Sequence, residues 1–287
     1  MQSIQEASHI AENDKLRSQY IRELIQEAVI REGAPVKTPF SKTKISKIIV
    51  QFWHDLNEIP NDVQECFDSW EPLKKKGFKR VLFDDAGARH FISKNLGNYY
   101  LSAFNLCHHP AMRCDYFRLC YMITNGGFYV DADEICQGSE FSNLFYDSRL
   151  KIQALCYDTA TGMMIEPDLF ISKRGYSPDW IFYVNNNPII APPNHPVIRL
   201  ALNRATHLLL SCPDKRSDIQ STTGPGNLTI SLVKHSITSK SNCRNRDVLI
   251  LTNWEDMSIS PWPLSYRNDE RNWRLWNPLE SKAGKTR

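Results

Sequence analysis

The chain opens with a long segment whose apolar residues follow a helical period. Between residues 5 and 31 these residues recur at spacings of three and four: Ile21, Leu24, Ile25 and Ala28. Such spacing is typical of one helix face, and Gly33 and Pro35 end the pattern, since both residues terminate helices. A basic, proline-containing connector follows over residues 33–44. We predict an N-terminal helical extension over residues 1–44, acting as scaffold or as a docking surface, and a main domain over residues 45–287.

Strand-like and helical patterns then alternate along the chain. Short β-branched and aromatic runs predict strands over residues 45–52, 79–83, 128–130, 152–157 and 179–184. Helical periodicity predicts helices over residues 86–96, 99–106, 110–124 and 197–211. Strands that alternate with helices predict an α/β fold with a largely parallel sheet. In such sheets, ligands bind beyond the carboxyl ends of the strands.

Composition narrows the functional classes. The net charge is +3, from 35 basic and 32 acidic residues, and this small excess gives no strong case for a nucleic-acid or anionic-membrane partner. Residues 1–17 contain no apolar signal core, and no stretch approaches the roughly 20 apolar residues that span a bilayer. None of the eight cysteines forms a C-x-x-C pair, and several lie in apolar runs, where thiols act as small hydrophobes. We expect a soluble, cytoplasmic protein without a transmembrane segment.

The third predicted strand runs into two acidic residues, Asp131 and Asp133. In an extended backbone, residues i and i+2 point to the same side, so both carboxylates would converge on one spot. Paired carboxylates suit Mg²⁺ or Mn²⁺, and such an ion can neutralise a diphosphate while a sugar–phosphate bond breaks. In isolation, a D-x-D triplet arises easily by chance and favours a solvated turn.

The helix before this strand carries a second charged pair. Asp115 and Arg118 are three residues apart, so they share one helix face. They could form a simple ion pair worth a few tenths of a kcal/mol. Alternatively, Asp115 accepts hydrogen bonds from sugar hydroxyls while Arg118 clamps a phosphate. Gly126 and Gly127 allow a tight turn from helix into strand, which would bring the two aspartates beside this helix.

In order and spacing, these motifs resemble the DXD-type sugar-binding region of certain retaining glycosyltransferases. The pattern A-x-R-x-D-Y-x-R over residues 111–118 and the run GGFYVDAD over residues 126–133 carry the resemblance. That family includes mannosyltransferase-like enzymes, capsular transferases and, more remotely, the large clostridial glucosylating toxins. Residues 47–53 (KIIVQFW) resemble its opening strand, and residues 223–229 (TGPGNLT) resemble its T-G-P-G-x-x-T loop. The resemblance is strong over residues 45–136 and weaker beyond them.

The resemblance implies a GT-A type, Rossmann-like nucleotide-sugar-binding domain with a mixed central sheet, and a retaining, metal-dependent transferase. The donor would be a nucleotide sugar, with a UDP-sugar favoured over GDP-mannose, and the cofactor Mn²⁺ or Mg²⁺. The acceptor would be a glycan, a small natural product or a protein, as in surface-polysaccharide biosynthesis. The implied donor-binding residues are Trp53, Asp115, Arg118, Asp131, Asn187, Gly224 and Gly226. The implied metal ligands are Asp133, Asp131 and Asn272, and the implied catalytic residues are Asp131, Asp133 and Arg118.

Several of these assignments have alternatives. Trp53 could stack on the nucleotide base or belong to the core, and Asn187 could contact the donor sugar or cap a loop. The family often takes a last metal ligand from a histidine near a tryptophan, whereas residues 271–277 read RNWRLWN; Asn272 is assigned as the substitute through its carbonyl oxygen. The absent histidine motivates a second hypothesis, a catalytically silent nucleotide-sugar- or glycan-binding protein. A third is an effector transferase that modifies host proteins.

Overall fold

The fold is that of a computed structural model of the chain. The structure describes residues 2–31, 44–138, 140–172, 176–215, 218–239 and 247–275. Apart from Lys44, the predicted connector over residues 33–44 lies outside the described residues.

Within these ranges the chain forms ten α-helices and nine strands. The helices are α1 (Gln2–Glu12), α2 (Asp14–Arg31), α3 (Asn61–Asp68), α4 (Asp85–Asn95), α5 (Asn98–Asn105), α6 (Pro110–Asn125), α7 (Pro167–Ile171), α8 (Pro196–Ser211), α9 (Ile219–Thr222) and α10 (Pro225–Thr238). The strands are β1 (Ile48–Phe52), β2 (Lys79–Phe83), β3 (Gly127–Tyr129), β4 (Ile135–Cys136), β5 (Leu150–Asp158), β6 (Met163–Ile165), β7 (Trp180–Ala191), β8 (Val248–Leu251) and β9 (Ser258–Ile259). None of these helices is both long and apolar enough to cross a membrane.

Seven of the described strands form one mixed sheet, so the mixed α/β fold is confirmed. The order is β2-β1-β3-β7-β5, and β6 and β8 both pair with β5. β1 is parallel to β2 and β3, and β8 is parallel to β5. β7 is antiparallel to β3 and β5, and β6 is antiparallel to β5. The largely parallel sheet predicted from the alternating pattern is therefore wrong for its second half, where β7 is antiparallel to both of its neighbours and β6 turns back directly along β5.

The two N-terminal helices pack on the main body of the protein. The predicted single helix over residues 5–31 is interrupted at Asn13, whose side chain accepts the backbone N–H of Leu16 at the start of α2. Apolar side chains of both helices, including Ala11, Ile21 and Leu24, belong to the same buried cluster as the sheet and the later helices. These helices therefore contribute to the central core, as expected for scaffold.

The turn from α6 into β3 brings this helix beside the carboxyl end of the central strands. His109 caps the start of α6 by accepting the N–H of Ala111, and Pro110 occupies the first turn, where its missing N–H costs nothing. Gly126 ends the helix with φ +63°, and a Cβ there would lie 2.6 Å from the carbonyl oxygen of Ala191. Both the backbone angle and the close approach of β7 require glycine at this position.

Strand β7 contains an irregularity that is important for the site. Its pairing with β5 is regular up to Val184, which lies opposite Ala154, and resumes at Ile189, opposite Ile152. Residues 185–188 of β7 therefore lie opposite the single residue Gln153. Such bulges bend a strand and redirect its side chains. Here the bulge carries three consecutive asparagines towards the carboxyl ends of β1 and β3.

Candidate functional site

A cavity of about 420 Å³ lies at the carboxyl ends of β1 and β3. One wall is formed by residues that follow those strands, among them Trp53, Asp131 and Asp133. The amino-terminal half of α6, the bulge of β7, and residues between 260 and 274 form the other walls. This position agrees with the rule that ligands bind beyond the carboxyl ends of parallel strands.

The two aspartates of the D-x-D triplet line this cavity, although the backbone is not extended as predicted. β3 ends at Tyr129, and Ala132 and Asp133 form a turn. Asn187 accepts the N–H of Asp131 through Oδ1 at 2.9 Å, and Gln51 donates to the Asp131 carbonyl oxygen at 3.3 Å. These buried side chains hold the turn, so the carboxylates converge through side-chain support rather than through strand alternation.

Arg118 lies at the centre of a buried charge cluster. Its Nη2 is 2.8 Å from Oδ1 of Asp131 and 2.9 Å from Oδ1 of Asp115, and Nη1 donates to the Asn186 carbonyl oxygen at 2.6 Å. The guanidinium also lies over the ring of Tyr129, 4.5 Å from its centroid. Only 3% of Arg118 is exposed. Arg118 therefore supports two cavity carboxylates, which goes beyond the simple helical ion pair considered from sequence.

Burial affects the titration of these carboxyl groups. It raises the pKa of Asp115, while the charge of Arg118 opposes the shift. Burial likewise raises the pKa of Asp131 to about 6, again against the effect of Arg118 and with a further contribution from the charge of Asp133. A divalent cation would relieve this repulsion, because it favours the ionised form of both aspartates.

Asp133 has partners that sequence reasoning missed. The hydroxyl of Tyr266 donates to its Oδ2 at 2.7 Å, and Nη2 of Arg267 lies 2.5 Å from the same oxygen. Both partners lie more than 130 positions later in the chain, in a stretch whose aromatic residues favoured packing. The one feature of the sequence that could have indicated these partners was the density of arginine and aromatic residues between positions 262 and 274.

The residues present fit a divalent cation held partly by the substrate. The contacts of Asp131 with Arg118 use Oδ1, and those of Asp133 with its two partners use Oδ2. Among the described residues, no group of three or more His, Cys, Asp or Glu side chains is placed to hold a metal ion. Mg²⁺ is commonly held by one or two carboxylates, with water and substrate phosphates completing its shell. Asp131 and Asp133 match that kind of site.

The third assigned ligand, Asn272, also lines the cavity. Its Nδ2 donates to the Arg267 carbonyl oxygen at 2.7 Å, and its Oδ1 accepts the N–H of Arg274 at 3.1 Å. A carbonyl oxygen has a second lone pair, so this contact is compatible with metal binding. The assignment of Asn272 as a ligand stays a prediction.

Two other assigned donor contacts line the cavity from mostly buried positions. Trp53 packs edge-on against Tyr266, with ring centroids 5.4 Å apart, and its Nε1 donates to the Glu58 carbonyl oxygen. Asn187 uses both ends of its amide: Oδ1 accepts from Asp131, and Nδ2 donates to Oε1 of Glu134 at 2.9 Å. Base stacking by Trp53 and sugar contact by Asn187 stay predictions, and the structure gives Asn187 a clear role in supporting the aspartate turn.

The assignment of Gly224 and Gly226 as donor contacts stays a prediction, and Pro225 between them lines the cavity. The loop expected there is the start of α10, with Gly224 as its N-cap, and neither glycine is among the residues that line the cavity. A Cβ at Gly226 would lie 2.9 Å from the Gln220 carbonyl oxygen, and one at Gly224 would lie 3.3 Å from Oδ2 of Asp115. The glycines allow α10 to pack closely on the chain before it and leave room for the Asp115 carboxylate.

A further acidic residue at the site is Glu134. Only 6% of the residue is exposed. It accepts from Asn187 through Oε1 and from Ser258 through Oε2. Burial raises the pKa of Glu134 to about 8. Directly after the aspartate pair, this buried carboxyl group ties the turn to β7 and β9.

Part of the chain resembles a known protein family. Residues 60–150 match the family described as the glycosyltransferase sugar-binding region containing a DXD motif. An uncharacterized glycosyltransferase of Acanthamoeba polyphaga mimivirus is 27% identical over 94 residues, which is 32% of this chain and 37% of that protein. The solved structure of PaToxG Glycosyltransferase aligns over 93% of this chain and 95% of that one, with 14% identity and a TM-score of 0.45.

Over residues 60–150, which include the aspartate pair, the chain is therefore similar to a glycosyltransferase. More specifically, those residues match the DXD-containing sugar-binding region, and the resemblance predicted from the motifs is confirmed over that part of the chain. The chain covers little more than a third of the length of the matched mimivirus protein.

Proposed function

We propose that the protein is a retaining glycosyltransferase that takes a sugar from a nucleotide-sugar donor, with UDP-sugars favoured over GDP-mannose. The observation that carries this proposal is the convergence of Asp131, Asp133 and Asp115 in one cavity, supported by the buried Arg118. Retention of configuration comes from the family resemblance. The acceptor is a hydroxyl-bearing glycan, small molecule or protein.

The size of the cavity supports a small organic donor. Its volume of about 420 Å³ falls within the roughly 300–1,000 Å³ that small-molecule sites occupy. Polar groups from α6, β7 and the aspartate turn converge there with the aromatic ring of Trp53. This mixture suits a ligand with a base, several hydroxyl groups and a charged linkage.

The charges that line the cavity support a diphosphate. Four arginines face four carboxyl groups: Arg118, Arg267, Arg271 and Arg274 against Asp115, Asp131, Asp133 and Glu134. Burial raises the pKa of Glu134 to about 8, so this group is mostly protonated at neutral pH, and Arg271 is paired with Asp269, so the charges at the cavity are close to balance. A bound divalent cation would make the cavity positive, and a diphosphate would offset that charge.

The residues have distinct roles under this proposal. Asp131 and Asp133 would hold Mn²⁺ or Mg²⁺, which stabilises the departing diphosphate electrostatically. Asp115 would accept hydrogen bonds from donor hydroxyls. Arg118, with both Nη atoms already bonded to protein oxygens, would act by fixing the two aspartates rather than by clamping phosphate. This fixed arrangement of charges avoids reorganisation during the reaction.

A thermal-shift panel of nucleotide sugars, with and without Mn²⁺, tests the proposal. A ligand at 100 times its Kd stabilises the native state by about 2.7 kcal/mol, which raises Tm by several degrees. The expected result is a metal-dependent shift with a UDP-sugar that disappears in Asp133→Asn and persists in Asp168→Asn, where an exposed aspartate on α7 is changed. If no nucleotide sugar stabilises the wild-type protein in Mn²⁺, the proposed function is wrong.

A catalytically silent binding protein is the second candidate. It is favoured by one observation, that among the described residues no group of three or more His, Cys, Asp or Glu side chains is placed to hold a metal ion. Donor hydrolysis separates the two functions, because a transferase slowly transfers the sugar to water when no acceptor is present. Mn²⁺-dependent release of the nucleoside diphosphate by the wild type, absent from Asp133→Asn, would exclude the silent protein.

A further inference from the structure

The guanidinium of Arg267 occupies one oxygen of the proposed metal ligand Asp133. Nη2 of Arg267 lies 2.5 Å from Oδ2 of Asp133, and the Tyr266 hydroxyl donates to the same oxygen at 2.7 Å. The side chains of Arg267 and Asp133 are only 12% and 18% exposed. Without a ligand, therefore, a fixed positive charge neutralises the carboxylate that is expected to bind a cation.

A divalent cation and this guanidinium compete for Asp133. Mg²⁺ binds carboxylate oxygens at about 2.0–2.1 Å, and Oδ2 of Asp133 already accepts two hydrogen bonds. Binding through Oδ1 would still bring two positive charges onto one small carboxylate, where like charges repel strongly. Cation binding at Asp133 therefore requires Arg267 to weaken or leave its present contact.

Arg267 has contacts that would keep it beside the cavity after such a release. Nη2 also donates to Oγ of Ser260 at 2.7 Å, and the guanidinium lies over the ring of Trp262, 4.4 Å from its centroid. Neither contact involves an aspartate. A guanidinium released here remains at the cavity, and its planar donor group matches phosphate oxygens well.

We propose that Arg267 exchanges partners during donor binding: it pairs with Asp133 in the free protein and with the donor diphosphate once a divalent cation occupies Asp133. This inference rests on the proposed function and assigns the diphosphate a ligand that sequence reasoning did not include. The exchange makes cation and diphosphate binding cooperative. The cation alone binds weakly because it must displace Arg267, and the diphosphate gives the displaced charge a new partner.

The test measures the two affinities separately on the full chain. Mn²⁺ alone is titrated with detection of the free ion by electron paramagnetic resonance, and UDP and GDP are titrated by calorimetry in saturating Mn²⁺. In Arg267→Met, which keeps an apolar stem on Trp262, Mn²⁺ alone should bind at least about fivefold more tightly. The nucleoside diphosphate should bind at least about tenfold more weakly, because charge-assisted bonds to its phosphates are lost.

Arg271→Met is the matched control. It removes the same charge from the same cavity, but Arg271 pairs with Asp269 rather than with the aspartate turn. Its Mn²⁺ affinity should stay within about twofold of wild type. An equal gain in both variants would overturn the inference, because it would show a general charge effect rather than direct competition for Asp133.

Opposite shifts of the two affinities in Arg267→Met support the exchange. Unchanged affinities, losses of both, or tighter Mn²⁺ binding with undiminished diphosphate binding each overturn it. If circular dichroism shows that Arg267→Met is unfolded, Arg267→Lys serves instead: the charge is kept and the planar group lost, so diphosphate affinity should fall at least about threefold while Mn²⁺ affinity stays within about twofold. Wild-type protein that binds neither Mn²⁺ nor any nucleoside diphosphate refutes the proposed function itself. Wild-type binding with no change in the Arg267 variants refutes only the exchange.

Discussion

Replacing Asn187 with alanine should loosen the aspartate turn without removing an aspartate. Oδ1 of Asn187 accepts the N–H of Asp131, and Nδ2 donates to Oε1 of Glu134, both at 2.9 Å. Only 3% of Asn187 is exposed, so bulk water does not compete freely for these groups. The substitution removes both hydrogen bonds and leaves a buried donor and a buried acceptor without a partner.

The loss of stability in Asn187→Ala follows from the two polar groups that lose their partners. Each buried polar group left unpaired costs about 1–3 kcal/mol, which gives about 2–6 kcal/mol for the two. Because Asn187 lines the cavity, water can enter the vacated space and offset part of this cost. We therefore expect the free energy of unfolding to fall by about 2–3 kcal/mol. Mn²⁺ affinity should fall about tenfold, because the Asp131 carboxylate is no longer held in place.

Urea unfolding followed by circular dichroism measures the stability change, and the linear extrapolation gives the free energy of unfolding in water. Asn185→Ala is the matched control, since Asn185 lies in the same bulge and donates to Oε1 of Gln153 at 3.1 Å from a partly exposed position. It should cost about 1 kcal/mol or less. If both variants are equally destabilised and bind Mn²⁺ equally well, Asn187 does not support the turn, and the reasoning fails.

Three further predictions concern groups around the site and the core. Burial lowers the pKa of His195 to about 4, below the ordinary value of about 6.5, so the unfolded state binds the extra proton first as pH falls. Between pH 6.5 and 4, wild-type protein should therefore lose about 3 kcal/mol of stability relative to His195→Asn, measured by urea unfolding of both proteins. Gly226→Ala places a Cβ 2.9 Å from the Gln220 carbonyl oxygen and should lower the free energy of unfolding by about 1–3 kcal/mol, measured in the same way. Arg118→Met leaves the buried Asp115 carboxylate and the partly exposed Asp131 carboxylate without their cation and should lower the free energy of unfolding by about 3–5 kcal/mol; a loss below 1 kcal/mol by calorimetry would contradict the charge cluster described here.

The elements with a clear local pattern could be predicted closely from the sequence. The predicted strand over residues 79–83 coincides with β2 (Lys79–Phe83), and the helix predicted over residues 110–124 is α6 (Pro110–Asn125). Both have uninterrupted periodicity and recognisable ends. β7 is much longer than its predicted span of residues 179–184, because the Asn-Asn-Asn-Pro run in its middle is typical of turns. Pairing with β3 and β5 on either side keeps that run within one strand.

The site could be predicted only in part. The spacing of Asp115 and Arg118 and the position of the D-x-D triplet place three cavity carboxylates correctly, because the motifs lie on one helix and the strand that follows it. The turn geometry was not predictable from strand alternation, since it depends on Gln51 and Asn187 from two other strands. The pairing of Asp133 with Arg267 was not predictable either, because residues that are 134 positions apart in the sequence leave no local pattern.

The bulge in β7 makes this part of the cavity unusually open to redesign. The extra residues opposite Gln153 are flanked by regular pairing at Val184 and Ile189, so the strand absorbs them locally while the sheet keeps its alignment. Asn185 can therefore be varied in a combinatorial library without a frameshift in the sheet register, whereas Asn186 is held by its hydrogen bond to Oδ1 of Asp115. Of the surfaces that surround the cavity, this segment is where altered sugar selectivity would be sought first by directed evolution.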